Sequence, residues 1–211
     1  MKLLLSGGGD PEKVAHIDRF FMSLIDSRKA VLYIPVAWED DPSYKECFDW
    51  FNETYQPMGI KNMEMAAGLK QVSGLNQYSA VFIGGGNTYK LLKEIKDSRF
   101  DKKLVDYLNN GGVVYGGSAG SIIFGKDIIG VTYGDENNVG LEDTKGLNLV
   151  KGCDILCHYG EDEADTACKR ERVKKYAAPG DFTIALPEDC GIFVEYETIT
   201  FLGSGAVILG G

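Results

Sequence analysis

The sequence predicts an α/β fold of three layers, in which helices cover both faces of a mostly parallel central sheet. Short apolar runs rich in β-branched residues alternate with segments of helical periodicity, and several of these runs end in glycine clusters. The runs are continuously apolar, which is typical of parallel strands buried on both faces. Since 211 residues suit one domain, we expect a single domain over residues 1–211.

The predicted strands of the first half are short apolar runs. Residues 2–5 form the first and lead into Gly7-Gly8-Gly9, and residues 30–36 (AVLYIPV) form the second. The remaining strands are predicted over residues 62–65, 80–83 and 113–115. The last two also lead into glycine clusters, as expected of tight turns between strands and helices.

Helices are predicted between these strands. Pro11 suits the first turn of a helix, and the residues after it show 3.6-residue apolar spacing. That apolar stripe consists of Val14, Ile17, Phe20, Phe21, Leu24 and Ile25. Further helices are predicted to begin at Asp41-Pro42, to run from Asn87 to about Ile95, and to cover residues 100–108 and 121–124.

The second half of the chain is less regular. Residues 127–145 hold many turn formers and predict a long loop, residues 146–157 look extended, and residues 165–177 look helical. Three short strands, 183–185, 191–196 and 198–202, are predicted to end the chain as an antiparallel extension.

Charge and composition exclude several function classes. The net charge is −9, with 31 Asp+Glu against 22 Lys+Arg, which argues against nucleic-acid partners and membrane surfaces. No apolar run approaches the roughly 18 residues of a membrane span, and MKLLLSGGGD is expected to be a strand rather than a signal peptide. The 5 cysteines form no CxxC pair, so we expect no metal site and a reduced, cytoplasmic protein.

A candidate nucleophile lies in Gly116-Gly117-Ser118-Ala119-Gly120, a G-x-S-x-G between a predicted strand and a helical stretch. A nucleophile elbow requires this context, because the turn exposes the hydroxyl above the carboxyl ends of the sheet. Ala119 follows the serine and is placed to offer its N–H to an oxyanion. The alternative is a glycine-rich turn that serves only close packing.

A serine nucleophile needs a base, and the chain has only two histidines. His16 lies beside the apolar stripe of the first helix and is interpreted as a surface residue. His158 follows an extended run, so elimination makes it the candidate base, at the rim where parallel strands end. For the orienting acid, spacing leaves open the loop carboxylates Asp135, Glu136, Glu142 and Asp143, and Glu188 after a short strand.

A second glycine cluster, Gly84-Gly85-Gly86, also joins a strand to a helix. Its N–H groups would form an anion-binding nest suited to a second oxyanion donor. It lacks the Lys and Ser/Thr of a P-loop, and neither this cluster nor Gly7-Gly8-Gly9 has dinucleotide-binding spacing. No cofactor is therefore expected.

Four features are taken together: Ser118 in GGSAGS, GGGNTYKLLK at 84–93, His158, and LPE at 186–188. With them the chain resembles the peptidase E type of serine peptidases, the aspartyl dipeptidase and cyanophycinase family. The resemblance extends to about Val194. It implies a class I glutamine amidotransferase-like (flavodoxin-like) fold with serine in place of the elbow cysteine, and a short peptide as substrate. The implied roles are Ser118 as nucleophile, His158 as base, Glu188 as acid with Asp135 in reserve, and Gly85, Gly86 and Ala119 as oxyanion hole.

The substrate preference is less well defined by the resemblance. The family's dipeptidases typically have Asn-Pro before the histidine and Phe-Thr after it, whereas His158 lies in Leu-Cys-His-Tyr-Gly. A preference for an N-terminal Asp requires a cation, for which Arg170, Arg172 and Lys169 are candidates; Asn87 is a further candidate for substrate binding. The open alternatives are a non-catalytic ligand-binding module and a hydrolase of non-peptide amides or esters, and a homodimer is among the options for assembly.

Overall fold

The structure is a computed structural model that describes residues 1–38, 43–196 and 198–210. Its strands are β1 (Lys2–Ser6), β2 (Val31–Ile34), β3 (Met63–Met65), β4 (Ala80–Ile83), β5 (Val113–Gly117), β6 (Asp154–Leu156), β7 (Phe182–Ala185), β8 (Gly191–Glu195), β9 (Thr198–Leu202) and β10 (Val207–Gly210). The main sheet joins seven of these strands in the order β3-β2-β4-β5-β1-β8-β9 within the part of the chain that the structure describes. The helices are α1 (Pro11–Leu24), α2 (Tyr44–Tyr55), α3 (Thr88–Asp97), α4 (Phe100–Asn109), α5 (Ala119–Ile122) and α6 (Glu163–Tyr176), with a 3₁₀ turn at Leu69–Gln71.

The first five strands pair parallel, and β8 and β9 add to the edge beside β1 in antiparallel pairing. Helices pack on both faces of this sheet. Leu4 faces the apolar cluster that includes α1 and α2, whereas Leu3 and Leu5 face the cluster that includes α3, α4 and α5. Alternate residues of one strand are therefore buried on opposite faces, which confirms the continuously apolar pattern as that of a covered parallel sheet.

Local capping explains where the helices begin. Asp10 caps α1, since its Oδ1 accepts from the N–H groups of Glu12 and Lys13. Ser43 and Glu46 form a capping box at the start of α2. The predicted start of that helix at Asp41-Pro42 lies outside the described residues.

Of two predictions for the second half, the extended run over residues 146–157 was wrong in extent and the loop over residues 127–145 was confirmed. Of residues 146–157, only Asp154–Leu156 form a strand. Residues 147–149 donate to the carbonyls of residues 123–125 instead, and positive φ angles at Asn148, Lys151 and Gly152 interrupt the extended run. The loop predicted over residues 127–145 contains no helix or strand, apart from an isolated bridge between Asp127 and Lys145.

The predicted antiparallel extension divides between two sheets. β8 and β9 pair antiparallel in the main sheet, whereas β7 lies in a three-stranded sheet of order β10-β7-β6. In that small sheet β7 is parallel to β6 and antiparallel to β10, a strand that the sequence analysis missed. No helix in the described residues is both long and apolar enough to cross a bilayer.

Candidate active site

Ser118 occupies a strained turn between β5 and α5. Its φ of 52° and ψ of −116° lie in a region that residues other than glycine rarely adopt. The turn is held by Ser121, whose Oγ lies 2.8 Å from Ser6 O and 2.7 Å from Gly116 O, so that its single proton is shared between these two carbonyls. A Cβ at Gly116 would lie 2.2 Å from Gly120 O. Only glycine therefore fits at that position, and the turn projects the serine hydroxyl from the end of the strand.

His158 lies against this hydroxyl, with Nε2 2.8 Å from Ser118 Oγ. We expected it at the rim of the main parallel sheet. It instead follows β6 and so comes from the end of the small sheet. Its N–H donates to Gly7 O at 3.1 Å, which ties the histidine backbone to the turn after β1. A Cβ at Gly8, whose φ is +96°, would lie 2.7 Å from both His158 Cε1 and Ser118 Cβ. Gly8 therefore allows a third chain segment to pass beside the serine–histidine pair.

Glu188 is the carboxylate in contact with the imidazole, with Oε1 2.8 Å from His158 Nδ1. Its other oxygen, Oε2, accepts from Lys13 Nζ at 2.6 Å. Burial alone raises the pKa of Glu188, but the hydrogen bonds from Lys13 and His158 outweigh it, so that pKa lies below its usual value. Sequence reasoning missed Lys13, which reaches the site from the first turn of α1.

Asp135, the reserve acid, lies elsewhere in the same cleft. Its Oδ2 accepts from the N–H of Thr88 at 2.8 Å. Its carboxylate therefore sits at the N-terminus of α3, where an anion is favoured by the unpaired amides and the helix dipole. The structure brings Glu188, and not Asp135, to the imidazole.

The proposed oxyanion donors surround the serine. A Cβ at Gly85 would lie 3.2 Å from Ser118 Cβ and 3.7 Å from its Oγ. Gly85 and Gly86 line a cleft together with Ser118 and His158. Ala119 is the first residue of α5, where the helix itself provides no acceptor for a main-chain N–H. The residues expected as oxyanion donors are thus either next to Ser118 or in the lining of its cleft.

The cleft lined by Ser118 and His158 has a volume of about 630 Å³ and also includes Asn87, Asp135 and Lys169 in its lining. Asn87 also caps α3, with its Oδ1 accepting from Lys90 N–H at 2.9 Å. Lys169 is buried and pairs with Asp165 Oδ2 at 2.5 Å, and it also donates to His158 O.

The predicted cations Arg170 and Arg172 are absent from that lining. Arg170 Nε donates to the hydroxyl of Tyr159 at 2.5 Å, and Arg172 donates to Ile129 O at 2.9 Å. Of the three basic residues considered on α6, Lys169 is the one on the helix face toward the cleft. Among the described residues, no group of three His, Cys, Asp or Glu side chains is arranged to hold a metal ion.

Comparison with known proteins gives a consistent match. The sequence profile of peptidase family S51 matches residues 2–202. Peptidase E of Salmonella paratyphi A (strain ATCC 9150 / SARB42) is 24% identical over 218 residues, covering 99% of this chain and 89% of that protein. Peptidase E of Salmonella typhimurium shows the same identity and coverage.

Two solved structures share the fold. A peptidase E candidate from Listeria monocytogenes EGD-e has a TM-score of 0.75 at 21% identity, covering 95% of this chain and 97% of that one. A peptidase from an acI-B1 Actinobacterium has a TM-score of 0.69 at 16% identity, covering 99% and 93%. The predicted α/β architecture is confirmed by these likenesses and by the sheet itself.

Proposed function

Since this chain belongs to peptidase family S51 and is a serine-type peptidase, we propose that it hydrolyses short peptides through an acyl-enzyme on Ser118. The observation that carries the proposal is the continuous pair of contacts of 2.8 Å, from Ser118 Oγ to His158 Nε2 and from His158 Nδ1 to Glu188 Oε1. This is the geometry of nucleophile, base and orienting acid.

In the proposed acylation, His158 Nε2 takes the hydroxyl proton as Ser118 Oγ bonds to the carbonyl carbon of the substrate. The carbonyl electron pair moves to oxygen, and the N–H groups of Gly85, Gly86 and Ala119 stabilise the resulting oxyanion. The carbon–nitrogen bond then breaks, and the imidazolium gives its proton to the departing amine. Glu188 accepts from Nδ1–H throughout, which holds the tautomer and stabilises the imidazolium.

Deacylation repeats these roles with water as nucleophile. His158 removes a proton from the water as its oxygen bonds to the ester carbon, and Ser118 Oγ leaves with the proton returned by Nε2. The reaction uses only groups of the chain itself, so we expect chelators to leave activity intact.

The proposed substrate is a short peptide cut near its amino terminus, and an N-terminal Asp is one candidate for its first residue. Lys169 supports an anionic group in the cleft better than Arg170 or Arg172, because it is in the lining. Its ammonium is already paired with Asp165, which weakens the case for a strict Asp preference. We place this reaction in the cytoplasm, where the 5 cysteines would stay reduced.

A serine-directed fluorophosphonate probe and a dipeptide panel test the proposal. We expect labelling of the wild type at Ser118, no labelling of Ser118→Ala, and hydrolysis of a subset of dipeptides varied at the first residue. Absence of labelling with an intact fold would favour a ligand-binding module. Labelling without cleavage of any peptide would favour a hydrolase of other amides or esters.

A further inference from the structure

A second cavity of about 410 Å³ opens beside Ser118 and extends toward α1 and α2. It shares Gly8, Trp38, Gly85 and Ser118 with the cleft that contains His158. We call it the aromatic pocket, because six aromatic side chains line it: Tyr33, Trp38, Trp50, Tyr55, Phe82 and Tyr115. A group of the substrate next to the scissile bond would have direct access to it.

The inner walls of the aromatic pocket are packed against each other. The ring of Phe82 lies 4.5 Å from that of Tyr115, 5.3 Å from that of Tyr55 and 5.9 Å from that of Tyr33, measured between centroids. These four residues are buried, whereas Trp38 and Trp50 are 36% and 43% exposed. The pocket therefore has a fixed interior and an indole-lined entrance.

A buried carboxylate also lines the pocket. Asp18 is 1% exposed, and its Oδ1 accepts from the hydroxyls of Tyr55 and Tyr115, each at 3.0 Å. Burial raises the pKa of Asp18 to about 6, while the two tyrosine hydrogen bonds and nearby His16 oppose the rise. The carboxylate is thus mainly ionised at neutral pH. The proposed mechanism makes no use of it.

The charges around the pocket all have the same sign. Asp18 and Glu46 are the charged residues of its lining, and no Lys, Arg or His of the described chain is among them. Glu46 is exposed and already caps α2, accepting from Ser43 N–H at 2.7 Å. Burying an ionised carboxylate without a cation is unfavourable, and aromatic faces attract cations. The walls and the carboxylate therefore favour the same class of ligand.

We propose that the aromatic pocket binds a cationic group of the peptide substrate, an ammonium or guanidinium on an apolar stem, with Asp18 as its counter-charge. The volume lies within the range of small-ligand sites, roughly 300–1,000 Å³. The cation is supplied either by a Lys or Arg side chain beside the scissile bond or by the free amino terminus of a short peptide. This inference rests on the proposed peptidase function for its substrate, but pocket occupancy is measurable without turnover.

Tryptophan fluorescence provides that measurement, because the chain has 2 tryptophans and both line the pocket. The probes are butylguanidinium and butylurea, which match in shape and differ in charge. We expect butylguanidinium to change the fluorescence saturably and to bind about tenfold more tightly, the scale of a desolvated cation–π and charge contact. Equal affinities, or no saturable change with the cation, would overturn the proposal.

Two matched variants assign the counter-charge. Asp18→Asn should bring the affinity ratio of the two probes close to one, whereas Glu46→Gln should retain the preference for the cation. The reverse pattern would contradict the role of Asp18. If Asp18→Asn fails to fold, the pH dependence of butylguanidinium binding to the wild type tests the role of Asp18 instead.

Affinity for butylguanidinium should fall about tenfold between pH 7 and pH 5, as Asp18 is protonated through a pKa of about 6. The groups facing this carboxylate are Tyr55 from α2, Tyr115 from β5 and His16 from its own helix. The tyrosines stay neutral in this range because their pKa values are raised. The pKa of Glu46 is lowered by Ser43, so it stays ionised. A flat profile would contradict the proposal.

Peptides distinguish the two sources of the cation. Two pairs of dipeptides compare a charged with a neutral side chain: Lys-Leu with norleucyl-Leu, and Leu-Lys with Leu-norleucine. The Nα-acetyl form of each peptide compares a free with a blocked amino terminus. If the wild type prefers the lysine peptides in kcat/KM and Asp18→Asn does not, the pocket binds the lysine side chain. If acetylation lowers kcat/KM in the wild type but not in Asp18→Asn, the pocket binds the amino terminus. Cleavage with neither dependence overturns the inference alone, whereas a cation preference in fluorescence without cleavage of any peptide overturns only the proposed function.

Discussion

The ammonium of Lys13 and the carboxylate of Glu188 are joined at 2.6 Å, on the side of that carboxylate opposite His158. Each carboxylate oxygen therefore has its own partner, one a fixed cation and the other the imidazole. Lys13 Nζ also lies 3.4 Å from Glu161 Oε2. In the proposed mechanism we therefore expect Lys13 to act as a positioning residue that keeps Glu188 ionised and oriented.

Substitution of Lys13 by Met should lower kcat by about tenfold. This is less than the roughly 10²–10⁴-fold effect of a group that itself transfers a proton, because Lys13 acts through Glu188. Lys13 lowers the pKa of Glu188, so its loss raises that pKa. The ionised form of Glu188 is then lost at a higher pH as the solution is acidified. The acidic limb of the plot of kcat against pH therefore moves to higher pH. Lys13→Arg should restore the profile. An unshifted limb in Lys13→Met would contradict the positioning role.

Replacement of Ser118 by Ala should reduce kcat by about 10⁶-fold, the scale reported for loss of a triad nucleophile. The measurement is hydrolysis of the best dipeptide of the panel. Ser73→Ala is the control, since Ser73 is exposed and outside the lining of the cleft. Activity of Ser118→Ala near that of the control would exclude the acyl-enzyme mechanism.

The choice of acid is tested by Glu188→Gln against Asp135→Asn. We expect about a 10⁴-fold loss of kcat for Glu188→Gln, because the amide no longer holds the required imidazole tautomer. Asp135→Asn should lose at most about tenfold in kcat. It should destabilise the protein by about 1 kcal/mol, as for a weakened contact at a helix N-terminus. Turnover and urea unfolding of both variants give the comparison, and a reversed order would assign the acid to Asp135.

Gly8→Ala should strongly reduce turnover without unfolding the protein. Its Cβ would lie 2.7 Å from both His158 and Ser118, whereas a Cβ at Gly111, which also has positive φ, meets nothing within 4 Å. Both substitutions should reduce the free energy of unfolding, Gly111→Ala by about 1 kcal/mol for its positive φ and Gly8→Ala by more because its Cβ also clashes. Only Gly8→Ala should lose about 10²-fold or more in kcat, because it displaces the reacting groups. Equal kinetics in the two variants would show that Gly8 has no role beyond its backbone conformation.

The order of elements in the first half was predictable from the sequence because it depends on local patterns. Apolar runs and caps specify β1 to β5 and the helices between them. Ser118 was predicted from its turn motif and His158 because the chain has only two histidines, and the structure brings these two side chains together. The sheet that β6 and β7 join was not predictable, since a three- or four-residue run indicates a strand but not its partner.

The remaining parts of the site depend on contacts between distant segments. Glu188 and Asp135 both follow predicted elements, and the sequence pattern alone did not show that Glu188 is the one in contact with His158. Lys13 gives no local signal, because its partner is 175 positions away. Lys169, Arg170 and Arg172 share one helix, and sequence alone did not show which of them turns toward the cleft.

The turn at Gly7, Gly8 and Gly9 connects the two sheets. Gly7 donates to Cys190 O and accepts from His158 N–H, and Gly9 donates to Glu188 O. Ser118 belongs to one sheet, while His158 and Glu188 follow strands of the other, so neither sheet by itself sets the separation between nucleophile and base. In the proposed mechanism, proton transfer therefore depends on the alignment of the two sheets, and a small shift between them would abolish turnover while leaving the protein folded.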